Sequence, residues 1–337
     1  MLNINNLSFS RFRAYFRVQK KTELPSYSGS TFRGILGHTM RKVRYGMRPE
    51  NCPDCPVRSD CRYGNLYAYL FESPWDHPFI ARSEQSQNKR KEKQYPQPFI
   101  LEPPPGGSYV PGEFLPLSFT LVGKAIELFP FMACALALTE TRRLGRDGKV
   151  VLEGITDGFP SEDGSEVLIY DGKTGVITGP GQILDFHLID QWVRHTSDTE
   201  GETERLRIRF LTPFRFRKEN RLGRKPDFNV FMRNVFRRLI FLSIHSPLSF
   251  EIDVPKLLER TGEIHTNPYG LRWHDWQRYS DRQKGRMKLG GFLGDIVFSG
   301  PLDEFMPYIR LCEFLNVGKN VSFGLGKFEA IRMNGEW

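Results

Sequence analysis

Asn316-Val317-Gly318-Lys319-Asn320-Val321-Ser322-Phe323-Gly324-Leu325-Gly326-Lys327 holds three glycines within nine residues, with a lysine after the first and another after the last. Glycine takes positive φ and lets a second backbone come close. Such a loop can offer consecutive N–H groups to a phosphate, with the lysines adding charge. The plainer reading is a helix C-cap at Gly318, a turn, and a strand with a glycine bend. The run from Pro301 to Leu315 just before it reads as a helix.

Further upstream stand Arg278-Tyr279-Ser280-Asp281-Arg282-Gln283 and Met287-Lys288-Leu289-Gly290-Gly291-Phe292-Leu293-Gly294. Taken together, this last third of the chain resembles the CRISPR pre-crRNA-processing endoribonucleases of the RAMP superfamily. Their hallmark is a G-x5-G-x-G loop after the last helix, and Gly318, Gly324 and Gly326 match that spacing. The Arg-Tyr-Ser-x-Arg-Gln stretch is similar to one branch of the family. The resemblance implies an α+β fold of two tandem ferredoxin-like domains.

The remaining sequence fits that architecture. Phe12, Ala14, Phe16 and Val18 alternate with Arg11, Arg13, Tyr15 and Arg17, the period of a half-buried strand with a basic outer face. A helix from Thr31 to Tyr45 follows, with Phe32, Ile35, Leu36, Thr39 and Val43 at helical spacing. Leu115 to Val122 reads as a strand, Phe129 to Leu144 as a helix ended by Gly145, and Lys149 to Ile155 as a strand. With more than one strand between the two helices, strand, helix, strands, helix, strand is the βαββαβ order of a ferredoxin-like unit. The second half can be read the same way, with Arg205 to Lys218 a strand pair or one bent strand, Asp227 to Ser246 a helix, Gly290 to Phe298 a strand, Leu302 to Leu315 a helix and Phe323 to Met333 the last strand. The expected division is 1–160, a turn-rich acidic connector over 161–203, and 204–337.

Charge points to a polyanion. The net charge is +9 and the pI about 9.3. Between Arg205 and Arg238 twelve Lys/Arg face only Glu219 and Asp227. Arg205, Arg207 and Arg209 share one face of an extended chain, and Arg215 and Arg217 keep the same parity. A solvated charged face is the bland account; a phosphate track is favoured by charges of one sign with few carboxylates. The 27 phenylalanines and 12 tyrosines suit stacking of single-stranded bases. The basic, nearly apolar-free run Ala81 to Lys93 reads as a solvated loop.

The catalytic expectation centres on His38. RNA cleaves when its own 2′-hydroxyl attacks the adjacent phosphate, which asks for a base, an acid and a cation but no metal or other cofactor. Histidine, with a usual pKa of about 6.5, suits the proton transfers. His38, Arg41 and Lys42 lie at neighbouring helical positions, and Tyr27 or Tyr45 stands near enough in sequence to help. A surface histidine on a polar helix face is the alternative. Ser28 to His38 is similar to the family's first loop and helix, where a catalytic histidine commonly sits. By that resemblance His38, Tyr27 and Lys42 are the catalytic candidates. The RNA-binding candidates are Arg207, Arg209, Arg215, Arg217, Arg278, Arg282, Gly318, Lys319, Gly324, Gly326 and Lys327. His274 is a second possible contact; His245 reads as a helix cap or core hydrogen bond.

Cys52, Cys55 and Cys61 form C-x2-C-x5-C, three thiolates suited to a structural zinc that normally takes four ligands. Related sequences often carry a further cysteine upstream, where this chain has Lys42 to Gly46; His38 as fourth ligand would be lost to catalysis. Cys134 and Cys312 read as ordinary buried residues. Five cysteines in this length do not suggest a disulfide framework. No signal peptide or membrane-length apolar run is apparent, so a cytoplasmic protein is expected. No Walker A, Ser/His/Asp or H-E-x-x-H pattern occurs, and the carboxylates are too scattered for a two-metal nuclease. The readings that remain are a metal-independent endoribonuclease acting on CRISPR repeat RNA, a non-catalytic RNA-binding subunit working with other CRISPR proteins, and a zinc-stabilised DNA-binding scaffold.

Overall fold

The computed structural model describes residues 7–45, 66–72, 95–145, 147–161, 163–179, 181–200, 204–218, 221–223, 226–246, 252–275, 277–280 and 285–333. The cysteine knuckle with Cys52, Cys55 and Cys61, the basic run 81–93, and Arg282 lie outside these residues. The chain forms two compact units.

The first unit is Leu7–Leu184 with Ile244–Pro247. It contains β1 (Phe9–Lys20), β2 (Thr22–Tyr27), α1 (Gly29–Tyr45), β3 (Phe99–Glu102), β4 (Pro105–Tyr109), β5 (Phe114–Val122), α2 (Phe129–Ala137), β6 (Lys149–Asp157) and β7 (Leu168–Asp171). The main sheet runs β3-β5-β1-β6-β7, antiparallel throughout. Without β7 it is a ferredoxin-like β1-α1-β3-β5-α2-β6 with β1 central. The alternation read in β1 is realised: Phe12, Ala14, Phe16 and Val18 are buried and the intervening arginines are not. Phe12 stacks between Phe119 and Phe129, with centroids 5.1 and 4.4 Å away. Phe32, Leu36 and Met40 of α1 join the same core. Each such side chain contributes about 2 kcal/mol by burial, more than exposed ion pairs give.

The second unit takes Asp185–Ser243 and the described residues from 252 onward. It contains α3 (Phe186–Glu200), β8 (Arg205–Phe214), the short pair β9 (Arg217–Lys218) and β10 (Arg221–Leu222), α4 (Phe228–Leu242), α5 (Val254–Arg260), β11 (His265–Asn267), β12 (Arg272–His274), β13 (Gln277–Ser280), β14 (Gly285–Lys288), β15 (Gly291–Ser299), α6 (Met306–Leu315) and β16 (Phe328–Arg332). Its sheet order, β11-β15-β8-β16, repeats that of the first unit, with β12 also on β15. Asp227 caps α4 by accepting from Val230 N at 2.7 Å. Phe210, Phe214, Phe231 and Phe328 form the aromatic centre. The two tandem ferredoxin-like domains expected from the sequence are therefore present.

Two expectations are corrected. The connector 161–203 is not a separate segment. β7 extends the first sheet, and Leu184 pairs with Phe9. α3 instead belongs to the second unit, where Phe186 stacks on Tyr308 and Arg310 lies over Trp192. Secondly, the helix expected over Phe129–Leu144 stops at Ala137. A 3-10 turn, Leu138–Thr141, follows, and Arg142 is extended at φ −123°, ψ 158°. Thr141 Oγ1 donates to the Leu138 carbonyl at 2.8 Å, a local bond that competes with helix continuation.

His245 is the core residue its sequence position suggested. It is fully buried, with Nδ1 2.9 Å from the Tyr69 hydroxyl and Nε2 2.9 Å from the Pro96 carbonyl oxygen. His245→Ala takes this partner from two buried polar groups, at a cost of about 2 kcal/mol or more. Thermal denaturation should show a lower midpoint; an unchanged midpoint would mean the bonds contribute nothing net.

Candidate functional site

α1 places His38 on its exposed side, opposite Phe32, Leu36 and Met40. His38 lines an open cavity of about 440 Å³ with Ile35, Thr141, Arg142 and Arg143. The last three come from the break after α2. Because that helix stops early, its exit segment turns onto the flank of α1. Lys42, one turn beyond His38, donates from Nζ to Thr141 Oγ1 at 3.2 Å. The structure thus brings together His38, Lys42 and two arginines that a continuous helix to Leu144 conceals. The only signal for them in the sequence was the pair of threonines before Arg142.

Arg41 does not join the group: its guanidinium sits 4.8 Å over the Tyr67 ring. Tyr27 closes β2, before α1 begins, and His38 stands nine residues into that helix, about 14 Å along its axis from Gly29 at 1.5 Å per residue. Burial, with the Glu102 charge adding to it, pushes the Tyr27 phenol far above its usual range. That suits a hydrogen-bond donor and opposes a role as base.

The arginine faces differ from expectation. On β1, Arg11 pairs with Glu102 at 2.7 Å, Arg13 with Glu166 at 3.1 Å and Arg17 with Glu153 at 2.6 Å. On β8, Arg209 makes a two-pronged contact with Asp295, at 2.9 and 3.3 Å, and Glu329 faces it across the other neighbouring strand. Its pKa is raised, chiefly by the Asp295 hydrogen bond. Carboxylates remote in sequence therefore balance much of a face that a local count leaves positive. Arg207 faces Val297 and Ile331 instead, and its Nε is buried without a hydrogen-bond partner among the described residues. Arg215 reaches 3.5 Å from the Gly290 carbonyl oxygen. Arg217 stands on β9, and Arg278 on β13 opposite Met287. His274 is exposed at the end of β12.

The glycine-rich loop is not a row of unused N–H groups. Val317 N bonds Gly326 O at 3.0 Å, Lys319 N bonds Arg215 O at 2.8 Å, and Gly326 N bonds Pro213 O at 3.1 Å. Gly324 N bonds Val321 O at 2.7 Å. Lys327 N donates to Thr212 Oγ1 at 2.8 Å, and that hydroxyl donates to Gly324 O at 2.7 Å. The loop is stitched to the end of β8, so its glycines act first on structure. Gly318, Gly324 and Gly326 have φ of 93°, 86° and 73°. A Cβ at Gly326 would run into the Val317 backbone.

Among the described residues no group of three or more His, Cys, Asp or Glu is arranged to hold a metal ion. Cys134 is exposed rather than buried; Cys312 is buried, which pushes its thiol pKa up. No described helix is long and apolar enough to cross a membrane.

Residues 7–182, just over half of the chain, match the N-terminal domain family AF_1859_N. Residues 208–328 match the family described as CRISPR-associated endoribonuclease Cas6. An uncharacterized protein of Archaeoglobus fulgidus is 23% identical over 329 residues, covering 96% of this chain and 98% of that protein. In fold, the chain is similar to a Thermus thermophilus Cas6 solved as a product complex, with TM-score 0.56, 17% identity, and 96% of this chain on 100% of that one. It is also similar to a chain of a partial Cas6-RT-Cas1–Cas2 complex, with TM-score 0.59 and 12% identity, 99% of this chain spanning 47% of that one.

Gly326→Ala should destabilise the protein. Left-handed backbone alone costs a non-glycine residue about 1–2 kcal/mol, before the Val317 clash. The thermal midpoint should fall, and ligand affinity should fall only with the folded fraction. A variant with the wild-type midpoint would show that the loop yields freely.

Proposed function

The chain belongs to the AF_1859_N family and is a CRISPR-associated Cas6-like protein of the RAMP fold, and from that premise we propose that it cleaves CRISPR repeat RNA by attack of the RNA's own 2′-hydroxyl. The observation that carries this reading is the cavity on α1, where an exposed His38 stands with Arg142, Arg143 and the Lys42–Thr141 contact.

The chemistry follows from those groups. The 2′-oxygen attacks phosphorus, the P–O5′ bond breaks, and the products are a 2′,3′-cyclic phosphate and a 5′-hydroxyl. His38 moves a proton, either from the 2′-hydroxyl or to the departing 5′-oxygen. The nucleophile belongs to the substrate, so no metal-activated water is required. The cations hold the phosphate as charge builds on it. Tyr27, which does not line the α1 cavity, would serve as a hydrogen-bond donor to the RNA rather than at the reacting phosphate. Repeat RNA is the partner this activity requires. Other CRISPR proteins are a second class of partner, in line with the fold neighbour found in a Cas6-RT-Cas1–Cas2 complex.

RNA phosphates would be held by Arg207, Arg215, Arg217, Arg278, Arg282, Lys319 and Lys327, the glycine-rich loop fixing where its lysines stand. Arg209 contributes less, because Asp295 and Glu329 already offset its charge. Arg207→Gln should therefore flatten the dependence of log K on log salt by about one unit or less, and Arg209→Gln by a smaller amount. Equal effects would show that the Asp295 pair opens when RNA binds.

Labelled repeat RNA incubated with the protein in EDTA tests the activity. Wild type should cut it to products with a 5′-hydroxyl, and His38→Ala should be slower by about a hundredfold or more with little change in affinity. A wild type that binds the RNA and leaves it intact would make this an RNA-binding subunit instead.

A further inference from the structure

We propose that Arg142 is a catalytic residue of the α1 cavity, donating to the non-bridging oxygens of the scissile phosphate while His38 moves the proton. This rests on the cleavage reading above and assigns within it the cation that the reaction needs. As phosphorus becomes five-coordinate, negative charge gathers on two equatorial oxygens. A planar guanidinium meets two oxygens with parallel N–H groups, which an ammonium cannot do.

The neighbouring cations are differently engaged. Arg41 is stacked over Tyr67. Lys42 spends one donor on Thr141. Arg143 is 80% exposed and lies 3.6 Å from Asp147, a carboxylate that would repel a phosphate. Arg142 is half-buried in the cavity wall, and no carboxylate pairs with it among the described residues. Its Nε is enclosed and has no hydrogen-bond partner there. A covered N–H without an acceptor is costly, and a protein rarely keeps one without a use. Turned toward the cavity, Nε–H and one Nη–H would meet a bound phosphate together. The extended backbone at Arg142 carries it off the path of α2, on the Thr141 side of the cavity, where Lys42 already points.

The test uses the full chain with saturating repeat RNA under single-turnover conditions. Arg142→Ala should cut about a hundredfold more slowly, the scale seen when one preorganised oxyanion donor is removed. Affinity should stay within about threefold, because one phosphate contact among many is lost. Arg142→Lys should recover only part of the rate. Added guanidinium should speed Arg142→Ala and leave His38→Ala unchanged, a rescue that a purely structural arginine would not show. Should Arg142→Ala fold poorly, the Lys and Gln variants answer the same question, Gln being slow and rescued by guanidinium. An Arg142 variant of wild-type stability that cuts at the wild-type rate overturns the assignment while leaving His38-dependent cleavage standing. A wild type that binds RNA without cutting it overturns both.

Discussion

Each unit depends on one central strand whose apolar side chains must all fall on its core face. In β1 these are Phe12, Ala14, Phe16 and Val18, and in β8 Leu206, Ile208 and Phe210. The side-chain period of a strand is two, so a slip of one residue would drive arginines inward and expose the phenylalanines. Register is therefore fixed by burial. Once β1 is fixed, α1 and α2 must share its covered face, because each has an apolar side to bury in the same core. Their adjacency is what brings the exit of α2 to the exposed side of α1. The cavity holding His38 and Arg142 is a consequence of how two helices fit on one sheet.

This explains which parts of the molecule were legible in the sequence. Alternation in β1 and β8, and helical spacing in α1, α4 and α6, are local patterns enforced by burial, and they appear as read. So does the buried His245, which ends an apolar helix. What needed long-range pairing was hidden. The carboxylates that meet Arg13, Arg17 and Arg209 lie 153, 136 and 86 residues away along the chain. No local count of acidic residues can find them. β7 and α3 were missed for a related reason: a short edge strand and a polar-faced helix carry weak patterns, and only their contacts reveal them. The site was half visible. His38 and Lys42 lie one turn apart, so helical spacing alone puts both on the flank where Thr141 stands. Arg142 and Arg143 were masked because Phe129 to Leu138 is apolar enough to suggest a longer helix, whereas Thr139 and Thr141 favour a tight turn.

The pairing of the strand arginines also relocates the charge that matters. Exposed pairs such as Arg13–Glu166 each contribute between nothing and about 1 kcal/mol, so they do not hold the sheets together. They do have two effects. A strand out of register loses every pair at once, which adds to the burial argument. A guanidinium already met by a carboxylate also releases fewer counterions when a polyanion arrives, and must give up its partner to contact a phosphate. The ladder on β1 is matched at Arg11, Arg13 and Arg17, and the ladder on β8 at Arg209. Of the proposed RNA-contacting cations, Arg207 keeps its place within β8 with no carboxylate across from it, while Arg215, Lys319 and Lys327 stand on segments that leave or join the strands. Those segments are also where helix breaks and glycine bends can aim a side chain, as the 3-10 turn after α2 aims Arg142. Charge at the ends of elements, where the proposed contacts of Arg142, Lys319 and Lys327 stand, leaves the sheet faces neutral enough to keep register.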